Sequence, residues 1–289
     1  MKPTPFDYVA PTSIEAACTA IADAGGGATV MAGGQTLMPL LNLRMSQPFI
    51  IVDINKITAL KGISRAAGAT RIGPMMRQCE VITDPTLAQD LPVLVEAVRH
   101  IGHHQTRNRG TVGGSVALGE PAAELPATAV ALNATIEVQS TRGTRKIAAA
   151  DFYLGPYMNS LEPDELVTGI TFPDWPKGHI PLFSELAQRP GDFALVGVVG
   201  ALVVEAGKIT RAGIAWFGMG PTPIKARTAE QLLVGQSLDA LDLQAVAEAS
   251  IADTAPFDDQ HASAEYRRTV GRRIFASALR QALKTGEMA

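Results

Sequence analysis

The sequence predicts an α+β protein built from three successive units. Helix-period and strand-type segments alternate over residues 1–60, and a hairpin, helices and strands mix over 61–176. Beyond the proline-rich stretch PDWPKGHIP (173–181), two long β-type runs precede three helical stretches. The texture change at that stretch places the last unit at 177–289.

Each element follows from local pattern. SIEAACTAIADA (13–24) reads as a helix capped by Ser13, with Ile14, Ala17, Cys18 and Ile21 on one face. ATVM and FIIVDI (49–54) read as strands, the second followed by a turn near Asn55. ISRAAGATRIG (63–73) fits a hairpin, and DLPVLVEAVRHIG (90–102) an amphipathic helix ending at Gly102. ELPATAVALNATIEVQST gives a helix, a tight turn and a strand, and ELVTGITFP (165–173) closes the middle unit. DFALVGVVGALVVEAGKITRAGIAWFGMG gives two strands joined at AGK. In the last helix Tyr266, Val270, Ile274, Ala278 and Ala282 recur every fourth position. Arg267, Arg268, Arg272 and Arg273 lie around them, which reads as a solvated face or a subunit contact.

Composition excludes several function classes. With 289 residues, 46% hydrophobic and 18% charged, the chain has material for a sizeable core. A net charge of −3 argues against a nucleic-acid binder working through a basic surface. The longest apolar-or-glycine run, ALVGVVGALVV (194–204), falls short of the roughly 18 residues a membrane span needs. MKPTPFDYVAPTS lacks the apolar core of a signal peptide, so a cytoplasmic protein is expected. The two cysteines, Cys18 and Cys79, are too few for an iron–sulfur cluster or a structural zinc site. Metal chemistry is therefore expected on another chain. His100, His103 and His104 cluster, but no third ligand of matching spacing accompanies the pair 100 and 104, which favours a helix end with partly exposed histidines.

Two glycine pairs in similar settings carry the chemical signal: AGGQTLMPLL (32–41) and TVGGSVALGEPAAELP (111–126). A diphosphate needs several N–H donors, and side chains at Cβ hold a backbone away from it. Glycine removes that obstacle and permits positive φ, so N–H groups can turn inward on an anion. Gly33-Gly34 and Gly113-Gly114 fit that role, with Gln35, Thr36, Thr111 and Ser115 as side-chain donors. Taken singly, each pair also fits an ordinary tight turn. The glycines do not form a Rossmann fingerprint, which needs G-x-G-x-x-G in one turn.

The two phrases resemble the flavoprotein (medium) subunit of the xanthine dehydrogenase/carbon monoxide dehydrogenase family of molybdenum hydroxylases. Ala32-Gly33-Gly34-Gln35-Thr36-Leu37-Met38-Pro39 is similar to that family's A-G-G-x-[ST]-L-x-P. Arg107 to Ser115 is similar to R-N-x-[GA]-[ST]-[IV]-G-G-[NDS], and Glu120 to Pro126 to D-P-A-A-[DE]-x-P. RPGDFALVGVV and SAEYRRTVGRRI resemble its C-terminal domain, so the likeness covers nearly the whole chain.

This resemblance implies a two-subdomain FAD-binding fold of the PCMH/vanillyl-alcohol-oxidase type, at 1–60 and 61–176. A C-terminal α+β domain with an antiparallel sheet and a helical bundle would follow. Carried over by position, Met31, Ala32, Gly33, Gly34, Gln35, Thr36 and Leu37 would wrap the diphosphate, and Thr111, Gly114 and Ser115 would complete the cradle. Glu124 would lie near the ribitol or ribose hydroxyls, where a carboxylate accepts their hydrogen bonds; otherwise it is a solvated acid at a helix start. Ile101, Gly102 and Leu166 would line apolar parts, and Thr106, Gly110 and Ala117 belong to the same implied site. Phe193 would stand beside the isoalloxazine ring, or else is a core residue before a strand. Glu185 stands where relatives often carry lysine, and a carboxylate lacks lysine's ability to stabilise added negative charge.

The resemblance further implies non-covalent FAD on this chain, with the molybdenum cofactor and [2Fe–2S] clusters on partner subunits only. The expected assembly has a small iron–sulfur subunit and a large molybdenum subunit, paired as a dimer of heterotrimers. Electron transfer would leave no catalytic side chain to nominate. Two other functions compete: a stand-alone flavin oxidase or dehydrogenase, and a flavin-free scaffold in which both glycine pairs are only turns. The short C-terminal third, with few aromatics, argues against the stand-alone enzyme.

Overall fold

The computed structural model describes residues 1–66 and 68–287. In the first unit, β1 (Asp7–Val9), α1 (Ile14–Asp23), β2 (Ala28–Met31), α2 (Leu37–Asn42) and β3 (Ile50–Asp53) follow one another. The strands form a parallel sheet in the order β1-β3-β2. Ser13 caps α1 by accepting a hydrogen bond from the Ala16 N–H at 3.1 Å. The face carrying Ala17, Cys18 and Ile21 packs with Val52, Ile54 and Leu60, and also with Met75 and Leu166 of the second unit. Burial of each Val, Ile, Leu or Met side chain here contributes roughly 1.5–3 kcal/mol, so this small sheet is held by its neighbour as well as by itself.

The second unit opens with the hairpin β4 (Ile63–Ala66) and β5 (Ala69–Ile72). Six helices follow: α3 (Gln78–Thr83), α4 (Pro85–Asp90), α5 (Pro92–His100), α6 (His104–Arg109), α7 (Val112–Leu118) and α8 (Glu124–Ala131). The helix expected at 90–102 forms as α5 but starts at Pro92, whose missing N–H suits a first helical position; Asp90 instead ends the separate short helix α4. Next come β6 (Thr135–Ser140), β7 (Gly143–Ala148), α9 (Ala149–Phe152), the small hairpin β8 (Tyr153–Gly155) and β9 (Met158–Asn159), and β10 (Leu166–Pro173). The sheet order is β4-β5-β10-β6-β7, so the last strand of the unit enters its centre, antiparallel to both neighbours.

The third unit is an antiparallel sheet of β11 (Ile180–Ala187), β12 (Ala194–Glu205), β13 (Lys208–Phe217) and β14 (Ile224–Lys225). It is followed by α10 (Arg227–Leu233), α11 (Leu243–Ser250) and α12 (Ala264–Glu287). Sequence pattern gave β12, β13 and the three helices but missed β11, which starts inside the proline-rich stretch. As an edge strand it tolerates Pro181, which reads locally as a break.

Two findings revise the reading of α12. Ala278 and Ala282 of the expected stripe are buried and Val270 and Ile274 partly so, but the neighbouring line Arg267, Gly271, Phe275, Leu279 and Leu283 is buried as well, and Tyr266 is exposed. Arg267 is 5% exposed rather than solvated. Its guanidinium donates to the carbonyls of Leu195 and Gly218 and to Asp259 at 2.6 Å. A guanidinium with acceptors on several sides is tolerated in an interior that would exclude it unpaired.

One apolar core joins the second and third units: Ile136, Ile170 and Phe172 cluster with Val199, Ala215 and Phe217. Every residue of α8 is buried. Gly213 on β13 lets the end of α8 come close, since a methyl there would stand 2.5 Å from the carbonyl oxygen of Ala131. Lys225 donates to that same oxygen at 2.6 Å, giving the last carbonyls of α8 a cation. The helix that starts at Glu124 is thereby fixed at its far end by the third unit.

Candidate functional site

The loop after β2 and the start of α7 meet. Gly33 is buried against the second loop: a Cβ there would overlap the carbonyl oxygen of Arg109 and stand 2.9 Å from Cα of Gly110. Gly34 takes φ +71°, a conformation L side chains rarely adopt, and turns the chain into α2. On the other side Thr111 caps α7, its Oγ accepting from the Gly114 N–H at 3.0 Å. Gly113 sits tightly on Pro74, whose Cα would lie 2.7 Å from an added methyl.

Between these loops opens a cavity of about 450 Å³, within the roughly 300–1,000 Å³ range of small-molecule sites. Its wall includes Ala32, Gly33, Gly34, Gln35, Thr36 and Leu37 from the first loop. Gly110, Thr111, Gly114, Ser115 and Ala117 come from the second, joined by Ile101, Thr106, Glu124, Leu166 and Phe193. Residues from positions far apart in the chain thus converge on one space. Three expected residues are not on the wall. Met31 backs the first loop, its Cγ 3.9 Å from where a Gly34 Cβ would be. The Gly102 carbonyl accepts from Arg107 at 3.0 Å. Glu185 turns to His100, Oε1 lying 3.5 Å from Nδ1, and that pairing raises the His100 imidazole above its ordinary value.

The second loop differs from the expected arrangement of inward N–H groups. The Gly113 N–H donates to Pro74 O at 2.8 Å, Gly114 to the Thr111 hydroxyl, and Ser115 to Thr111 O at 3.2 Å. What this loop offers a ligand is hydroxyls: Thr111 accepts through its oxygen and keeps its O–H to donate. Gln35 folds back, its Nε2 donating to Gly33 O at 3.3 Å. Among the described wall residues none is lysine or arginine. An anion placed here is met by neutral donors.

Glu124 is 3% exposed, which excludes the solvated-acid reading. Burial, then the facing carboxyls of Glu185 and Glu120, push it up to about 8, against the pull of its own backbone and of His100. Glu120 also lines the cavity and accepts from the Tyr157 hydroxyl. Phe193 is 59% exposed at the wall, which excludes the core reading. His103 stands at the N-cap position of α6 without a side-chain cap hydrogen bond, His104 contacts Asn108 and His100 contacts Glu96 and Glu185, so the three histidines do not converge. Among the described residues no group of three or more His, Cys, Asp or Glu is arranged to hold a metal ion.

Sequence reasoning missed part of the wall. Gln78, 4% exposed, presents a buried Oε1 without a hydrogen-bond partner among the described residues. Leu118 and Leu161 add apolar surface. Leu118 lies within the second glycine phrase without having been singled out, and Gln78 and Leu161 lie outside both; Gln78 reaches the site because Arg77 bridges to Thr111 across the chain. These features fit FAD: bare backbone at Gly33 and Gly34 with hydroxyls for a diphosphate, a buried carboxyl for hydroxyls, an unpartnered carboxamide for a further polar edge, and an apolar remainder.

Comparison with known proteins agrees. Residues 4–175 match the FAD binding domain in molybdopterin dehydrogenase, and 182–282 the CO dehydrogenase flavoprotein C-terminal domain. The 6-hydroxypseudooxynicotine dehydrogenase complex subunit alpha of Paenarthrobacter nicotinovorans is 40% identical, covering 99% of each chain. The nicotine 6-hydroxylase medium subunit of the same organism is 37% identical over 92% of this chain and 93% of its own. Carbon monoxide dehydrogenase from Hydrogenophaga pseudoflava superposes with a TM-score of 0.95 at 33% identity, over 99% of both chains. Quinoline 2-oxidoreductase from Pseudomonas putida 86 gives 0.93 at 33%, also over 99% of both. Among the described residues no helix is long and apolar enough to cross a membrane. The chain belongs to the FAD-binding medium subunits of the molybdenum hydroxylase family.

Proposed function

We propose that this chain is the electron-relay subunit of a heterotrimeric molybdenum hydroxylase, standing between [2Fe–2S] clusters of a small partner and an external acceptor. Substrate is oxidised at the molybdenum cofactor of a large partner, and the assembly is a cytoplasmic dimer of heterotrimers. The observation that carries this reading is the cavity where the two glycine loops meet, walled by residues of the first, second and third units. FAD supplies the capacity to accept and release electrons singly or in pairs.

The chain's residues bind and orient. In this reading Gly33 and Gly34 bring backbone to the diphosphate, and the Thr111 and Ser115 hydroxyls donate to it. Glu124 holds sugar-chain hydroxyls, Ile101 and Leu166 exclude water, and Phe193 shields the open face. Residues 1–60 and 61–176 form the two halves of the cofactor site and 177–289 covers it. Glu185, paired with His100, gives the site no free cation of its own.

Affinity purification of the tagged chain from its native host tests the proposal. Stoichiometric flavin, iron and molybdenum in one complex supports it. A yellow protein that purifies without iron and molybdenum, in a host where both are supplied, contradicts it.

A further inference from the structure

A line of polar side chains runs behind the cavity wall and touches both glycine loops. We propose that Arg77 is a positioning residue for the cofactor site, forming with Asn55 a brace that sets the separation of the two loops. This inference rests on the reading of the cavity as an FAD site. One amino group of the Arg77 guanidinium donates to the carbonyl of Arg109, the other to Asn55 Oδ1 at 2.5 Å. Asn55 Nδ2 in turn donates to Ala32 O at 2.8 Å. Arg109 precedes Gly110 and Ala32 precedes Gly33, so the brace ends on the peptide units that flank the contact between the loops.

The residues behind it keep the brace in place. Asp53 Oδ1 accepts from the Asn55 backbone at 2.9 Å and from its side chain at 2.5 Å, and Asp53 Oδ2 accepts from the Tyr8 hydroxyl at 2.6 Å. Arg77 is itself tied by backbone: it pairs with Thr111 in an isolated antiparallel bridge, and its N–H donates to Glu80 at 2.7 Å. Ala32 and Gly110 line the cavity, whereas Arg77, Asn55, Asp53 and Tyr8 do not. The brace therefore acts through the loops.

The residue types suit the task. An asparagine amide donates and accepts on one plane, and a guanidinium addresses two acceptors in a fixed fork. Lysine at 77 keeps the charge but loses the fork. Where Gly33 lets the loops touch, the brace keeps them at that contact.

The test is titration of apoprotein with FAD, followed by fluorescence, for wild type, Asn55→Ala, Arg77→Ala, Arg77→Lys and the Asn55→Ala/Arg77→Ala double variant. Thermal melting of each apoprotein confirms that it is folded. Asn55→Ala and Arg77→Lys are each expected to weaken FAD about tenfold. The double variant is expected to be no weaker than Arg77→Ala, because either change alone breaks the line. Should Asn55→Ala fail to fold, Asn55→Ser carries the same expectation, since its hydroxyl is too short to span Ala32 and Arg77. Wild-type affinity in the Asn55 variant, full rescue by Arg77→Lys, or additive losses overturn the positioning role while FAD binding stands. A wild-type apoprotein that takes up no FAD overturns the functional reading, and this inference with it.

Discussion

Gly33 lies directly against Arg109: the first glycine loop has no room for a side chain because the second loop's backbone occupies that space. The two loops are one structure, closed by contact between peptide units. Gly33→Ala is expected to push them apart, costing ~1–3 kcal/mol of stability through overpacking and at least about tenfold in FAD affinity. Chemical denaturation and flavin titration of the same preparation measure both.

The second pair divides its duties. An added Cβ at Gly113 meets the Pro74 backbone, whereas one at Gly114 stands 2.7 Å from the Thr111 hydroxyl and 3.5 Å from Ala32. Gly113→Val is expected to lower the melting temperature of apoprotein strongly. Gly114→Val is expected to leave a folded protein without stable FAD, because it disturbs the Thr111 cap at the cavity wall. Normal flavin occupancy in Gly114→Val would show that the second loop is only a turn.

Glu124 gives a pH signature. Its folded value is raised from 4.5 to about 8, so folded protein holds a proton that the unfolded chain has released. The associated stability is complete below the unfolded value and is lost as pH rises through about 8. Glu124→Gln, neutral at every pH, removes this contribution. From about pH 5 to about pH 8 the apoprotein melting temperature is expected to fall more in wild type than in Glu124→Gln. Parallel curves would count against a buried, protonated Glu124.

Neighbouring arginines on α12 are expected to behave differently. Arg267→Ala leaves the carbonyls of Leu195 and Gly218 without their buried donor, at a cost of ~2–4 kcal/mol. Arg268 is exposed, and its replacement by alanine is expected within ~0.5 kcal/mol of wild type. Urea denaturation separates the two.

The legible parts of this protein are those whose signal is local. Ser13 announced α1, Ala206-Gly207 turned β12 into β13, and the glycine phrases marked both loops before their contact was known. Pro181 concealed β11 because edge-strand tolerance depends on a neighbour far along the chain. The four-residue rhythm found the buried Ala278 and Ala282 but not the buried Arg267, because burial of that guanidinium depends on carbonyls offered by β12 and by the turn after β13. Gln78, Asn55 and Arg77 carry no motif; their places follow from β5, β3 and the second loop coming together. Site chemistry was readable where glycine does the work and hidden where a long-range hydrogen bond does.

The central claim is that this chain holds the cofactor but does not itself oxidise substrate. Anaerobic mixing of the isolated, flavin-loaded chain with N-heteroaromatic compounds, aldehydes, purines and carbon monoxide, followed at the flavin absorption band, tests it most directly. No bleaching by any of them alone, and rapid bleaching once the small and large subunits are added with the right substrate, is the expected result. Rapid bleaching by one of these compounds in the absence of partner subunits would contradict the relay and identify a self-sufficient flavin enzyme.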